Sequence, residues 1–133
     1  KYLRNSISFV KNKKINFSIQ LAGNKEIKLL NKKFRKKSKS TDVLSFPYNN
    51  LNTLKKLKKK DIYLGDIILN YYKIKKKNFK ENFNKLWIHG FLHLVGHKHK
   101  KNNDYYKMNK LEKLIFSKIQ KKWYLIFLIK EFL

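Results

Sequence analysis

Four histidines fall within eleven residues, His89, His93, His97 and His99, and the chain has no others. His89 and His93 are four apart, so on a helix their imidazoles lie one turn apart on the same face. Gly96 stands where such a helix would end on a residue of positive φ. The chain can then turn back and bring His99 to the same point. Two imidazoles from a helical turn and a third from the segment after it converge on one metal ion. Neutral imidazole suits zinc, so one Zn2+ per chain held by His89, His93 and His99 is expected. Three protein ligands leave a fourth position open, which is the catalytic arrangement and not the structural one. His97 is expected beside this site or at the surface, because Gly96 turns it away from the helix face.

The spacing matches the metzincin pattern H-E-x-x-H-x-x-G-x-x-H at every ligand and at the glycine. The glutamate is replaced by Gly90. Peptide hydrolysis by that route needs a carboxylate to take a proton from the zinc water. A zinc peptidase is therefore disfavoured on chemistry, although the metal geometry survives.

The elements that must position these residues are legible in outline. Ile15, Phe17, Ile19 and Leu21 alternate with polar residues, which predicts a half-buried strand. Ile27, Leu30 and Phe34 recur at helical spacing and predict a helix over Asn24–Lys37. Thr41–Phe46 reads as a second strand stopped by Pro47. Tyr48–Lys60 is Lys-rich and reads as either a basic loop or a short surface helix. Ile62–Leu69 is mostly apolar and predicts a central strand. Asn70 can cap a short helix over Tyr71–Lys77. Helices are predicted over Asn82–Val95 and Asp104–Trp123, the second with Met108 in the core and Glu112 as a solvated or pairing group. The tail Tyr124–Leu133 is apolar enough to dock on the body or to extend the last helix.

Length and composition bound the answer. A chain of 133 residues is one domain's worth, so a single domain over 1-133 is expected. Cys is absent, which excludes disulfide scaffolds, Cys-based zinc fingers, iron–sulfur clusters and a cysteine nucleophile. The longest apolar run, Trp123–Ile129, is seven residues, far short of the roughly twenty that span a bilayer. Lys1–Val10 has no apolar stretch of signal-peptide length, so a cytoplasmic protein without a membrane partner is expected. The formal net charge is +26, carried by 34 basic and 8 acidic residues. Loading with Lys and Asn reflects either AT-rich codon usage or selection for a polyanionic partner. Either way the charge draws phosphate backbones, RNA before membranes.

Arg35 is one of only two arginines. Its planar fork suits a pair of phosphate oxygens; the plainer use is an ion pair with Asp42. Asp66, in an apolar strand, must be paired or catalytic. Ser45 and Asp42 can line a cleft, and exposed Tyr48 or Tyr63 can stack on bases. Lysines around positions 32–39, 55–60, 73–77 and 98–101 would form a positive rim.

The segment Ile88–His99 resembles the H-G-x-L-H-L-x-G-[Y]-D-H motif of the YbeY family of bacterial endoribonucleases, the ribosomal RNA maturation factors. Leu30–Arg35 followed by Thr41–Pro47 resembles that family's L-N-x-x-[YF]-R and T-D-V-L-S-F-P stretch. Leu64-Gly65-Asp66-Ile67 resembles its L-G-D-I strand. Order and spacing agree from about Ile15 to Glu112. His97 stands where the family usually has Tyr, and Lys98 replaces the Asp before the third ligand, whose loss would loosen the metal site if it orients an imidazole.

The resemblance implies an α+β fold: a small mixed sheet of about four strands with flanking helices and a zincin-like metal-binding helix packed centrally. It implies His89, His93 and His99 as zinc ligands and Arg35 as the invariant basic residue of the cleft. It implies a hydrolase, a zinc-dependent endoribonuclease acting on single-stranded RNA in rRNA processing, including 16S rRNA 3′ end maturation, and in ribosome quality control. Ribosomal subunit proteins are then candidate partners. The alternative is an rRNA-binding ribosome-assembly factor with a structural metal.

Overall fold

The structure, a computed structural model, describes residues 13–132, with side chains described for 13–121. Its element order is β1 (Lys14–Ala22), α1 (Asn24–Arg35), β2 (Val43–Pro47), α2 (Leu51–Lys56), β3 (Asp61–Asn70), a 3-10 turn (Tyr71–Lys73), α3 (Phe79–Leu94) and α4 (Asn102–Phe132). The sheet order is β1-β3-β2, with β3 parallel to β1 and antiparallel to β2. The fold is α+β with a small mixed sheet, as expected, and the apolar strand is the central one. The strand count differs. Three strands are present among the described residues, not about four. No helix among the described residues is long and apolar enough to cross a membrane.

β3 decides which side chains face which layer. Asn16 pairs with Tyr63 but Ser18 pairs with Asp66, so β3 carries one extra residue. The bulge sits at Gly65, whose φ is 136° and whose added Cβ would lie 2.1 Å from the Phe46 carbonyl oxygen. Only glycine fits there. The bulge reverses the alternation, so Ile62, Leu64, Ile67 and Leu69 all join one core cluster. That cluster also takes Leu92 and Leu94 from α3, and Met108 and Leu111 from α4. On the other face α1 packs Ile27 and Leu30 against Ala22, Leu44 and Ile68. The helix spacing at Ile27, Leu30 and Phe34 is real, but Phe34 itself stays exposed.

Several local expectations resolve. The Tyr48–Lys60 segment holds a short helix, capped by Asn50, whose side chain accepts from the Thr53 amide at 2.8 Å. It is more than a surface feature, because Leu54 is fully buried. Asn70 does act as a cap, but the helix it starts is only the 3-10 turn Tyr71–Lys73. The Asn70 side chain is fully buried and satisfied. Its Nδ2 donates to Asn24 Oδ1, Ser40 Oγ and the Thr41 carbonyl, and its Oδ1 accepts from the Tyr72 amide. Asn70 thereby ties the start of α1 to the loop before β2. α4 runs on through the tail to Phe132; whether that tail docks on the body lies outside the described side chains.

Candidate metal centre

α3 carries His89 and His93 one turn apart. The helix stops at Gly96, which has a φ of 95° and presses against Leu51. The Gly96 amide donates to the His93 carbonyl at 3.0 Å, and the His97 amide to the Leu92 carbonyl at 2.9 Å. This left-handed stop reverses the chain. His99 returns to the two helical imidazoles, with ring centroids 5.5 Å from His89 and 5.0 Å from His93. One ligand atom from each of the three histidines lies within 4.8 Å of the other two.

Hydrogen bonds assign the tautomers. His93 Nδ1 lies 2.9 Å from the His97 carbonyl oxygen, which can only accept, so Nδ1 carries the proton. His89 Nδ1 lies 2.6 Å from Glu112 Oε1 and donates to that carboxylate. In the neutral rings both Nε2 atoms are left to bind a metal, and they lie 3.1 Å apart. That spacing suits two ligands of one cation shared with the third imidazole. Burial first, then the nearby His89, push the His93 pKa down to about 4, so it stays in the neutral form a metal needs. The donor set, its convergence and its protonation all fit a tetrahedral divalent ion.

Arg35 ends α1 and lines the same cleft as the three histidines, together with Ser45, Lys37 and Lys39. Its Nη2 donates to the Ser45 carbonyl at 3.3 Å. The ion pair with Asp42 does not form; Asp42 instead offers its carbonyl to the Asn70 amide at 2.8 Å. Beyond His89 and His99 a second hollow opens, walled by Tyr105, Asn109 and Glu112. The histidines therefore sit between a cationic wall and a polar one.

The family model described as Endoribonuclease YbeY matches residues 1–120. The Endoribonuclease YbeY of Pelagibacter ubique is 51% identical over 117 residues, covering 83% of this chain and 73% of the relative. The Endoribonuclease YbeY of Buchnera aphidicola is 35% identical over 127 residues, covering 91% of this chain and 79% of the relative. The chain belongs to the Endoribonuclease YbeY family. A solved solution structure of a Thermotoga maritima protein aligns at a TM-score of 0.49 with 21% identity, over 91% of this chain and 81% of the other.

In this YbeY-family chain the missing glutamate has a packing reason. A Cβ on Gly90 would lie 2.7 Å from Ile67 Cγ2, 3.1 Å from Ser45 Oγ and 3.2 Å from Val43 Cγ2. α3 lies so close to the sheet that a side chain on the residue after the first histidine would displace its neighbours. Ser45 seals the contact by donating its hydroxyl to the Gly90 carbonyl at 2.9 Å. Ser45 thus reaches the cleft, but as a buried helix-to-strand tie.

Other residues singled out in the sequence fall elsewhere. Asp66 is paired, not catalytic. It accepts from the hydroxyls of Ser18 and Tyr63, which hold its carboxyl below the ordinary range, and it lies outside the cleft. Tyr48 and Tyr63 are outside the cleft as well. Met108 is core. His97 keeps its ring out of the trio and contributes its carbonyl to His93. Glu112 is the residue whose importance sequence spacing did not reveal. It supplies His89 with the carboxylate partner that the Lys98 substitution had put in question. A carboxylate on the core-forming helix after a histidine motif is the signal that would have found it.

Proposed function

We propose that this chain is a zinc-dependent endoribonuclease specific for single-stranded RNA. It acts in the cytoplasm as one domain over 1-133, in rRNA processing, including the 16S rRNA 3′ end, and in ribosome quality control. Ribosomal subunit proteins are its candidate partners. The observation that carries the reading is the meeting of three imidazoles opposite Arg35 in one cleft. Family membership supports the RNA as substrate.

His89, His93 and His99 would hold the zinc, which when bound supplies Lewis acidity for a water or a phosphoryl oxygen. Glu112 fixes the tautomer and orientation of His89, and the His97 carbonyl does the same for His93. The Ser45 carbonyl takes one donor of the Arg35 guanidinium. The remaining donors of its fork bind the scissile phosphate and stabilise charge that builds on its oxygens. Lys37 and Lys39 attract the backbone on either side. Glu112 is occupied by His89 and Gly90 carries no side chain, so neither position offers a general base to the cleft.

The test is cleavage of a single-stranded RNA and of its duplex by metal-loaded protein. Cutting of the single strand alone is expected. Full metal content with no turnover on either RNA would replace this reading with the assembly-factor one.

A further inference from the structure

The sheet face opposite the histidines carries a row of aromatic rings that the cleft does not use. Phe34 and Phe46 pack edge to face with centroids 5.2 Å apart. The cross-strand partner of Phe46 is Asp66, whose Oδ1 accepts from the Tyr63 hydroxyl at 2.6 Å. Tyr63 in turn meets Tyr48, with centroids 6.1 Å apart. The row therefore runs Phe34, Phe46, Tyr63, Tyr48. Phe34 is 57% exposed, Tyr63 41% and Tyr48 75%, while Phe46 is half-buried against the cluster under α1 and presents only part of its ring. The bulge at Gly65 is what brings Tyr63 and Asp66 to the same side. The Asp66 hydrogen bond then holds the Tyr63 ring in place while it stays in water.

The row starts at the cleft. Phe34 immediately precedes Arg35, and Phe46 comes directly after Ser45, the residue whose carbonyl anchors Arg35. Its surroundings are cationic. Lys33 Nζ lies 5.3 Å from the Phe34 ring centroid, and the whole chain carries +26. Asp66 is the one acid in the row, and its Oδ1 is engaged by two hydroxyls. Exposed rings beside a phosphate-binding arginine and surrounded by positive charge match single-stranded nucleic acid, whose bases offer π faces and whose backbone is anionic. Duplex RNA keeps those faces stacked inside.

We propose that Phe34, Phe46, Tyr63 and Tyr48 form a track on which bases of single-stranded RNA stack where the strand passes over the β2 edge from the Arg35 side of the cleft. This rests on the endoribonuclease reading above and extends it to a binding surface outside the metal centre.

Stopped-flow mixing of metal-loaded protein with a short single-stranded RNA bearing 2-aminopurine tests it, reading affinity and fluorescence quenching before cleavage. Tyr48→Ala is expected to weaken binding about tenfold and to relieve quenching at one base position. Tyr48→Phe is expected to restore both. Tyr72→Ala, an exposed tyrosine beyond the far end of β3, is the control and leaves both unchanged. Unchanged affinity and quenching in Tyr48→Ala, with cleavage intact, would overturn the track while the endoribonuclease reading stands. Wild-type protein that neither binds nor cuts the RNA would overturn both.

Discussion

The Nε2 atoms of His89 and His93 lie 3.1 Å apart. In a tetrahedral zinc site with ordinary bond lengths, neighbouring ligand atoms lie about 3.3 Å apart. The fold therefore holds two ligands near coordination spacing through hydrogen bonds on the far side of each ring. One partner is a carboxylate from α4, the other a backbone carbonyl from the turn after α3. The metal site is organised by the packing of α3 on α4 as much as by the histidine motif.

Glu112→Gln keeps the shape of the side chain but removes its charge. It is expected to weaken zinc affinity roughly 10- to 100-fold while the protein stays folded. Competition against a chromophoric chelator measures this. Wild-type affinity in the variant would show that the His89–Glu112 contact does not organise the site.

Arg35→Lys keeps the charge and loses the fork. Cleavage is expected to fall about 100-fold with metal content unchanged, because one point charge replaces paired donors on the developing phosphate charge. Single-turnover rates beside a metal assay separate the two effects. A variant that cuts at the wild-type rate rules out the fork.

Gly90→Ala sets two opposing effects against each other. Alanine favours the helix by about 1 kcal/mol, whereas overpacking a tight contact costs about 1–3 kcal/mol. The Cβ would stand 2.7 Å from Ile67 Cγ2, on a fully buried β-branched residue of the central strand that cannot swing aside. Overpacking wins, and a net loss of up to about 2 kcal/mol is expected in urea unfolding. A stabilised variant would mean that α3 can lift from the sheet without strain.

Acid should destabilise the metal-free protein in a defined window. Unfolded His93 takes up a proton at its ordinary pKa of 6.5, whereas the native residue resists until about 4. Below 6.5 the unfolded chain therefore binds more protons, and native stability declines as pH falls through the window. His97, lowered by burial, adds a loss of the same sign. The Asp66 carboxyl is held below its ordinary 3.8, so its stabilisation disappears only at lower pH. Thermal melts from pH 7.5 to 4.5 should show the decline, and His93→Gln should flatten it. A melting temperature that is level across that range contradicts the neutral, buried His93.

Much of this arrangement is local and so was readable in the chain. The i, i+4 histidines and the Gly96 stop fix three imidazoles through one helix end, alternation placed β1, a mostly apolar run placed β3 and helical spacing placed α1 and α4. The unreadable parts are contacts between distant segments. Glu112 is 23 residues from His89, and only the crossing of α3 on α4 joins them. Leu54 looked like part of a lysine-rich surface until the fold placed it under α3 and α4. The Gly65 bulge shifts the face of every later residue in β3, which period-two reading cannot foresee from one glycine. That shift took Asp66 away from the cleft and set it among the aromatic rings.

The most direct test of the metal centre is cleavage of a single-stranded RNA by purified protein before chelation, after chelation, and after zinc is returned, beside His93→Ala. Cutting is expected to be lost on chelation and recovered with zinc, and His93→Ala is expected not to cut under any condition. Cutting that survives both chelation and His93→Ala would contradict a metal-dependent site built on these histidines.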